Sequence, residues 1–203
     1  MATRYDYSSL KVNGVTPTQV IVNGTQIYRL IANGVDIIHK YSDQSLKFTL
    51  TPSCRIGAYI SYSCGGDESE TSCDNMKLKV SWTSSKSIQK IDLTAGVSIT
   101  LSVTKTVSCG DDVTHQAVVS DDATVTLTSS GSTITYSESK SIGGIFFNGE
   151  FSVAINAKVY FTDGSGADFS FTVSSSQFSL AKNSTRTYSQ NITKSISTEM
   201  KEY

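Results

Sequence analysis

Val97, Ile99, Leu101 and Val103 alternate with Ser98, Thr100, Ser102 and Thr104. The same two-residue period carries Val153, Ile155, Ala157, Val159 and Phe161. Successive side chains of a β-strand point to opposite faces, so this pattern gives each strand one apolar and one polar face. No stretch of twelve residues shows the 3.6-residue apolar repeat of an amphipathic helix. Ser and Thr supply 58 of the 203 residues, a composition that suits the solvent faces of strands better than it suits helices. The chain is therefore expected to be all-β, built of half-buried antiparallel strands.

Three Asn-Gly pairs, Asn13-Gly14, Asn23-Gly24 and Asn33-Gly34, recur at intervals of ten residues. A two-residue type I′ turn needs positive φ at both central positions, which Asn tolerates and Gly adopts freely. The spacing predicts a four-stranded meander over about 7–12, 15–22, 25–32 and 35–41, with Pro17 marking an irregular or edge position. Glycines spread out by strands exclude a phosphate-cradling loop, which clusters them ahead of a helix. About forty residues bury too little surface for a robust core of their own. The apolar residues Val22, Ile27, Tyr28, Leu30, Ile31, Ile37 and Ile38 therefore call for a partner. Copies of the same unit, a larger particle or the rest of the chain would serve. Residues 1–41 are assigned to attachment or oligomerisation.

After Tyr41, "SDQS" is expected to form a short linker. Strands follow at 46–50, 53–63, 76–82, 88–93, 97–108, 117–119, 123–128, 132–138, 144–148, 150–161, 168–173, 177–180 and 185–193. That many short strands fit sandwiches with Greek-key crossings. "IDLTAGVSITLSVTKTVS" (91–108) aligns with "FSLAKNSTRTYSQNITKSIS" (178–197), and "KVSW" (79–82) echoes "KVYF" (158–161). The repeat favours two immunoglobulin-like sandwiches, 46–112 and 116–203, with one larger sandwich as the alternative. Trp82 is expected to pack inside.

Few residues offer chemistry. His39 ends the expected strand "VDIIHK" and His115 sits in the expected loop "GDDVTHQ"; both read as surface imidazoles, and no nucleophile elbow or zinc-protease helix motif occurs. No catalytic residue, cofactor or metal is assigned. "DGSGAD", with Asp163 and Asp168, is the best calcium candidate, but acidic turn residues are ordinary in β proteins. Cys54, Cys64, Cys73 and Cys109 allow three pairings. Cys64 and Cys73 flank a polar loop and form the candidate disulfide. A net charge of −1 gives no pull toward nucleic acid or an anionic membrane, and no apolar run is long enough to span a bilayer. "MATRYDYSSLK" has no apolar signal region, so synthesis in a cytoplasm without export by the general route is expected.

The stretch "VNGVTPTQVIVNGTQIYRLIANGVDIIH" resembles the V-x-V-N-G repeats at the start of tailed-bacteriophage structural proteins. The remainder resembles the immunoglobulin-like modules that decorate phage heads and tails. The resemblance implies a non-enzymatic virion protein, either a head decoration or fibre protein or a tail-associated one. Its N-terminal β unit would dock on other virion proteins, and copies of the chain would associate as a homo-oligomer. The alternative is a sandwich module that binds carbohydrate on a host surface, with Tyr59 and Tyr62 as candidate contacts.

Overall fold

A computed structural model of the chain describes residues 3–7, 10–23, 25–26, 30–32, 35–61, 68–103, 105–106, 112–113, 116–137, 139–144 and 146–202. Among them there is no helix, and the strands are antiparallel. The chain begins with β1 (Thr3–Asp6), β2 (Ile21–Val22), β3 (Thr25–Gln26) and β4 (Leu30–Ala32). Three long strands follow: β5 (Val35–Ser61), β6 (Glu68–Ser84) and β7 (Ile88–Ser102). Then come β8 (Lys105–Thr106), β9 (Asp112–Val113), β10 (Gln116–Leu127), β11 (Ser132–Thr135) and β12 (Lys140–Gly143). The last five are β13 (Asn148–Phe161), β14 (Gly166–Ser174), β15 (Phe178–Ser179), β16 (Ser184–Ser189) and β17 (Ile192–Glu202).

Two sheets make up the body. In the first, β5 pairs with β6 on one side and with β16 and β17 on the other, and β6 continues to β11 and β12. In the second the order is β10-β7-β13-β14, with β15 extending the edge beside β13. Their inner faces supply one core. Leu46, Phe48, Leu50, Ile56, Leu78 and Val80 from the first sheet meet Ile91, Leu93, Val97, Ile99, Phe151 and Val159 from the second. The alternating positions 97, 99, 101 and 103 are all buried, as are 153, 155, 157, 159 and 161. Aromatic rings tie the layers: Phe48 on β5 lies 5.2 Å from Phe169 and 6.0 Å from Phe171 on β14. Trp82 is half-buried against the same core.

The boundary expected near 110–117 does not divide the body. It falls between β7 and β10, which form one hairpin from Gln116↔Ser102 to Leu127↔Ile91. Strands from 46–112 and from 116–203 interleave in both sheets, so the alternative of a single larger sandwich is the one observed. The apparent repeat has a simple cause. "KVSW" lies on β6 in the first sheet and "KVYF" on β13 in the second, which are different places in one sandwich. Any half-buried strand shows the same alternation, so the match requires no duplication.

Several expected breaks are also absent. "SDQS" is not a linker: Ser42, Asp43, Gln44 and Ser45 lie inside β5, opposite Met200, Glu199, Thr198 and Ser197 of β17. β5 runs through Pro52, β7 through Thr94–Gly96 and β10 through Asp121–Asp122. Outward-facing Ser, Thr, Asp and Gly have turn-like composition, yet within a sheet they occupy the solvent face. The irregularity falls just after Pro52. There Ser53↔Lys77 and Arg55↔Asp74 enclose one residue on β5 but two on β6, and Asn75 takes φ 52. This is a β-bulge with its extra residue in the left-handed region.

One buried polar link crosses between the sheets. The Tyr136 hydroxyl donates to the Ala95 carbonyl at 3.0 Å. Burial first, then Asp121 and Asp122, push this phenol above its ordinary pKa, so it stays a donor across the working pH range. Tyr136→Phe is expected to cost about 1–2 kcal/mol in urea unfolding, since it strands a buried acceptor at little change in volume. An unchanged midpoint would deny this link any part in stability.

Candidate functional site

Among the described residues of the N-terminal segment Tyr7 is buried, whereas Val12, Val15, Ile21 and Val22 face outward. Val12 and Val15 exchange both backbone hydrogen bonds, at 2.9 and 3.0 Å, across Asn13 (φ 51) and Gly14 (φ 80). Left-handed values at both positions are the geometry of a two-residue turn with strand-like twist. At the second pair Asn23 has φ 50, and β2 meets β3 through Val22↔Thr25. Between these turns Pro17 lies outside any strand, so the expected strand 15–22 contracts to β2. A residue with no N–H cannot donate to a ladder. β4 and β5 pair at Ala32↔Val35, flanking the third Asn-Gly position.

Val12 is 56 % exposed, Val15 68 %, Ile21 57 % and Val22 51 %. Only two other large hydrophobic side chains among the described residues are comparably exposed, Tyr59 and Val118. Single exposed apolar residues are ordinary, but four within eleven residues of chain form a local concentration. β5 also runs past the end of its ladder with β6. That pairing stops at Leu46↔Ser84, and residues 40–42 instead lie between β1 on one side and β17 on the other.

Of the expected interface residues, Val22 is thus placed at the surface. Leu30 and Ile31 lie on β4, and Ile37 and Ile38 on β5, by backbone alone. Ile27, Tyr28, Gly24, Asn33 and Gly34 lie outside the described residues. Val12, Val15 and Ile21 were not among the expected interface residues. Their signal was adjacency to the Asn-Gly turns, where a hairpin tip has no layer to cover it.

The other candidates are placed as follows. Cys73 and Cys54 are free thiols, both buried and side by side on β6 and β5. Cys73 thus neighbours Cys54, while Cys64, Cys109, Tyr62 and His115 lie outside the described residues. The Cys54 Sγ–H donates to the Asp74 carbonyl at 3.4 Å. The thiol contact with Cys73 and then burial raise Cys54 far above the ordinary range, so it is a poor nucleophile. His39 stands opposite Asp6 in the β1–β5 ladder.

Asp163 is engaged by protein groups. Lys86 Nζ lies 2.6 Å from Oδ2, and the Ser165 N–H and hydroxyl both donate to Oδ1. Asp168 stands on β14 opposite Lys158. Among the described residues no three His, Cys, Asp or Glu side chains converge as a metal site. Desolvation pushes the Asp163 carboxyl up, but the hydrogen bonds from Lys86 and Ser165 outweigh it and hold the group at about 2. A depressed carboxyl stabilises the fold above its unfolded value of 3.8, and the contribution disappears as pH falls from there to about 2. The side chain is 32 % exposed, so screening reduces the contribution to about 1 kcal/mol. Asp163→Asn is expected to show this deficit in urea melts at pH 6 and to converge with the parent near pH 2. A deficit independent of pH would contradict the assignment.

The class these features define is an antiparallel β-sandwich with four exposed apolar side chains near its N-terminal turns. In comparisons with known proteins the chain matches no family model, no curated protein and no solved structure.

Proposed function

We propose that the chain is a non-enzymatic structural protein of a bacteriophage virion. Copies associate and dock through the N-terminal β segment, and the sandwich projects outward. The observation that carries this reading is the exposure of Val12, Val15, Ile21 and Val22 on tight hairpins. A surface of that kind gains stability by burial against a partner, at about 25 cal/mol per Å² of apolar area removed from water. The run of β5 past its ladder with β6 supports the same reading, because its start lies apart from the main core.

The strand order supports an immunoglobulin-like assignment for the body. Taking β5, β6 and β11 with β12 as strands A, B and E leaves β10, β7, β13 and β14 as C′, C, F and G. The pairings A–B, B–E, C–C′, C–F and F–G are those of such sandwiches. The departure is the β16–β17 arm, which adds a further strand outside A.

Particle incorporation tests the docking role. When the full chain carrying Val12→Ser, Val15→Ser, Ile21→Ser and Val22→Ser replaces the native chain during assembly, purified particles are expected to lack it. Undiminished occupancy by this variant would overturn the role. The second reading, binding of carbohydrate on a host surface, is favoured by the 57 % exposure of Tyr59.

A further inference from the structure

We infer that the outer face of the first sheet carries a binding groove for neutral pyranose saccharides, centred on Gly57 and Tyr59. This deepens the carbohydrate-binding reading and rests on it. The groove has a volume of about 430 Å³ and is lined by Gly57, Tyr59, Glu70, Ser72, Asn183 and Thr185 among others. Small-ligand sites run from about 300 to 1,000 Å³.

Its shape follows from register. Gly57 lies between Ser72 on β6 and Thr185 on β16, and Tyr59 stands opposite Glu70. A Cβ on Gly57 would come within 2.8 Å of the Ser72 hydroxyl oxygen and 2.9 Å of the Thr185 hydroxyl oxygen. The missing side chain is therefore what lets these two hydroxyls close in over the floor of the groove. Tyr59 forms one wall and is the only large aromatic side chain among the described residues exposed to this degree. Glu70 is oriented by a hydrogen bond from the Ser141 hydroxyl.

The chemistry selects the ligand class. A pyranose has an apolar C–H face and a rim of hydroxyls that both donate and accept. An exposed phenol ring suits the first, being apolar in its body and polar at its tip. A carboxylate, three hydroxyl side chains and an amide suit the second. Among the described residues Glu70 is the charged residue of the lining and no Lys or Arg lines the groove, so an acidic sugar would meet repulsion.

Position supports exposure of the site to a partner. Tyr59 is thirteen residues along β5 from Leu46, where the ladder with β6 begins, about 43 Å of extended strand from that end. A body held by its N-terminal segment would carry the groove away from its attachment.

The test screens the full chain on an array of neutral, sialylated and sulfated oligosaccharides, then titrates the best neutral binder. The inference expects neutral glycans to bind. Tyr59→Ala should weaken binding about two- to tenfold, as loss of one aromatic contact does. Tyr59→Phe should retain it, and Gly57→Val should weaken it by filling the floor. Both positions are at the surface, and matched thermal melts control for folding. Neutral binding unaffected by Tyr59→Ala and Gly57→Val would overturn this site while leaving the carbohydrate reading standing. Binding confined to acidic glycans would overturn the ligand class. No binding to any glycan would overturn site and reading together.

Discussion

Phe48→Ala is expected to destabilise the entire chain by about 3–5 kcal/mol, in a single transition. Phe48 is 1 % exposed, and its ring meets Phe169 and Phe171 across the sandwich. Truncation removes the transfer free energy of a buried aromatic and leaves a cavity between sheets that strand pairing holds in place. Domains are stable by only about 5–15 kcal/mol, so the loss is a large share of the total. The substitution lies in 46–112, whereas its ring partners lie in 116–203. Trp82 fluorescence and far-ultraviolet circular dichroism should therefore report one shared urea midpoint, lowered in the variant. A second transition keeping the parent midpoint would mean two independently folding units.

The second large effect concerns assembly. The full chain carrying Val12→Ser, Val15→Ser, Ile21→Ser and Val22→Ser is expected to lose self-association and to keep the melting temperature of the sandwich. All four side chains are more than half exposed, so their truncation removes little from the core. None belongs to the buried cluster that joins the two sheets. In an oligomer the same side chains are removed from water, and each is worth about 1.5–3 kcal/mol when fully buried. Since these side chains are already about half covered, four such losses come to about 3 kcal/mol or more, a change of at least two powers of ten in association. A variant that still assembles, or one whose melting temperature falls below the parent's, would place the apolar residues in an ordinary subdomain.

The fold class was legible in the sequence because its signal is strictly local. Alternation at 97–103 and 153–161 reports the inner face of a strand whichever sheet holds it. For the same reason it could not say how many sandwiches there are. A strand such as β6 carries the same pattern whether its neighbour is twenty residues away or, as with β11, some fifty. The breaks placed at Thr94–Gly96 and Asp121–Asp122 were misread because a two-layer body with Ser/Thr-rich outer faces has turn-like residues in mid-strand. Pro52 misled differently: the chain passes through it, and the bulge beside it takes up the irregularity.

At the candidate surface, Asn13, Gly14 and Asn23 take positive φ, a conformation that Asn tolerates and Gly adopts freely. Which apolar side chains stay outside depends on what packs above them, and spacing carries no such information. The groove at Gly57 was equally hidden. It exists only because β16, more than a hundred residues later, places Thr185 beside that glycine. Tyr59 was visible as a candidate contact, but not its neighbours.

The central claim is that the exposed N-terminal segment drives assembly of copies of this chain. The most direct measurement is the solution mass of the full chain by light scattering, over a hundredfold range of concentration, beside the four-serine variant. The account predicts a discrete multiple of the 21.9 kDa chain for the parent and 21.9 kDa for the variant. A parent that stays at 21.9 kDa throughout would contradict it.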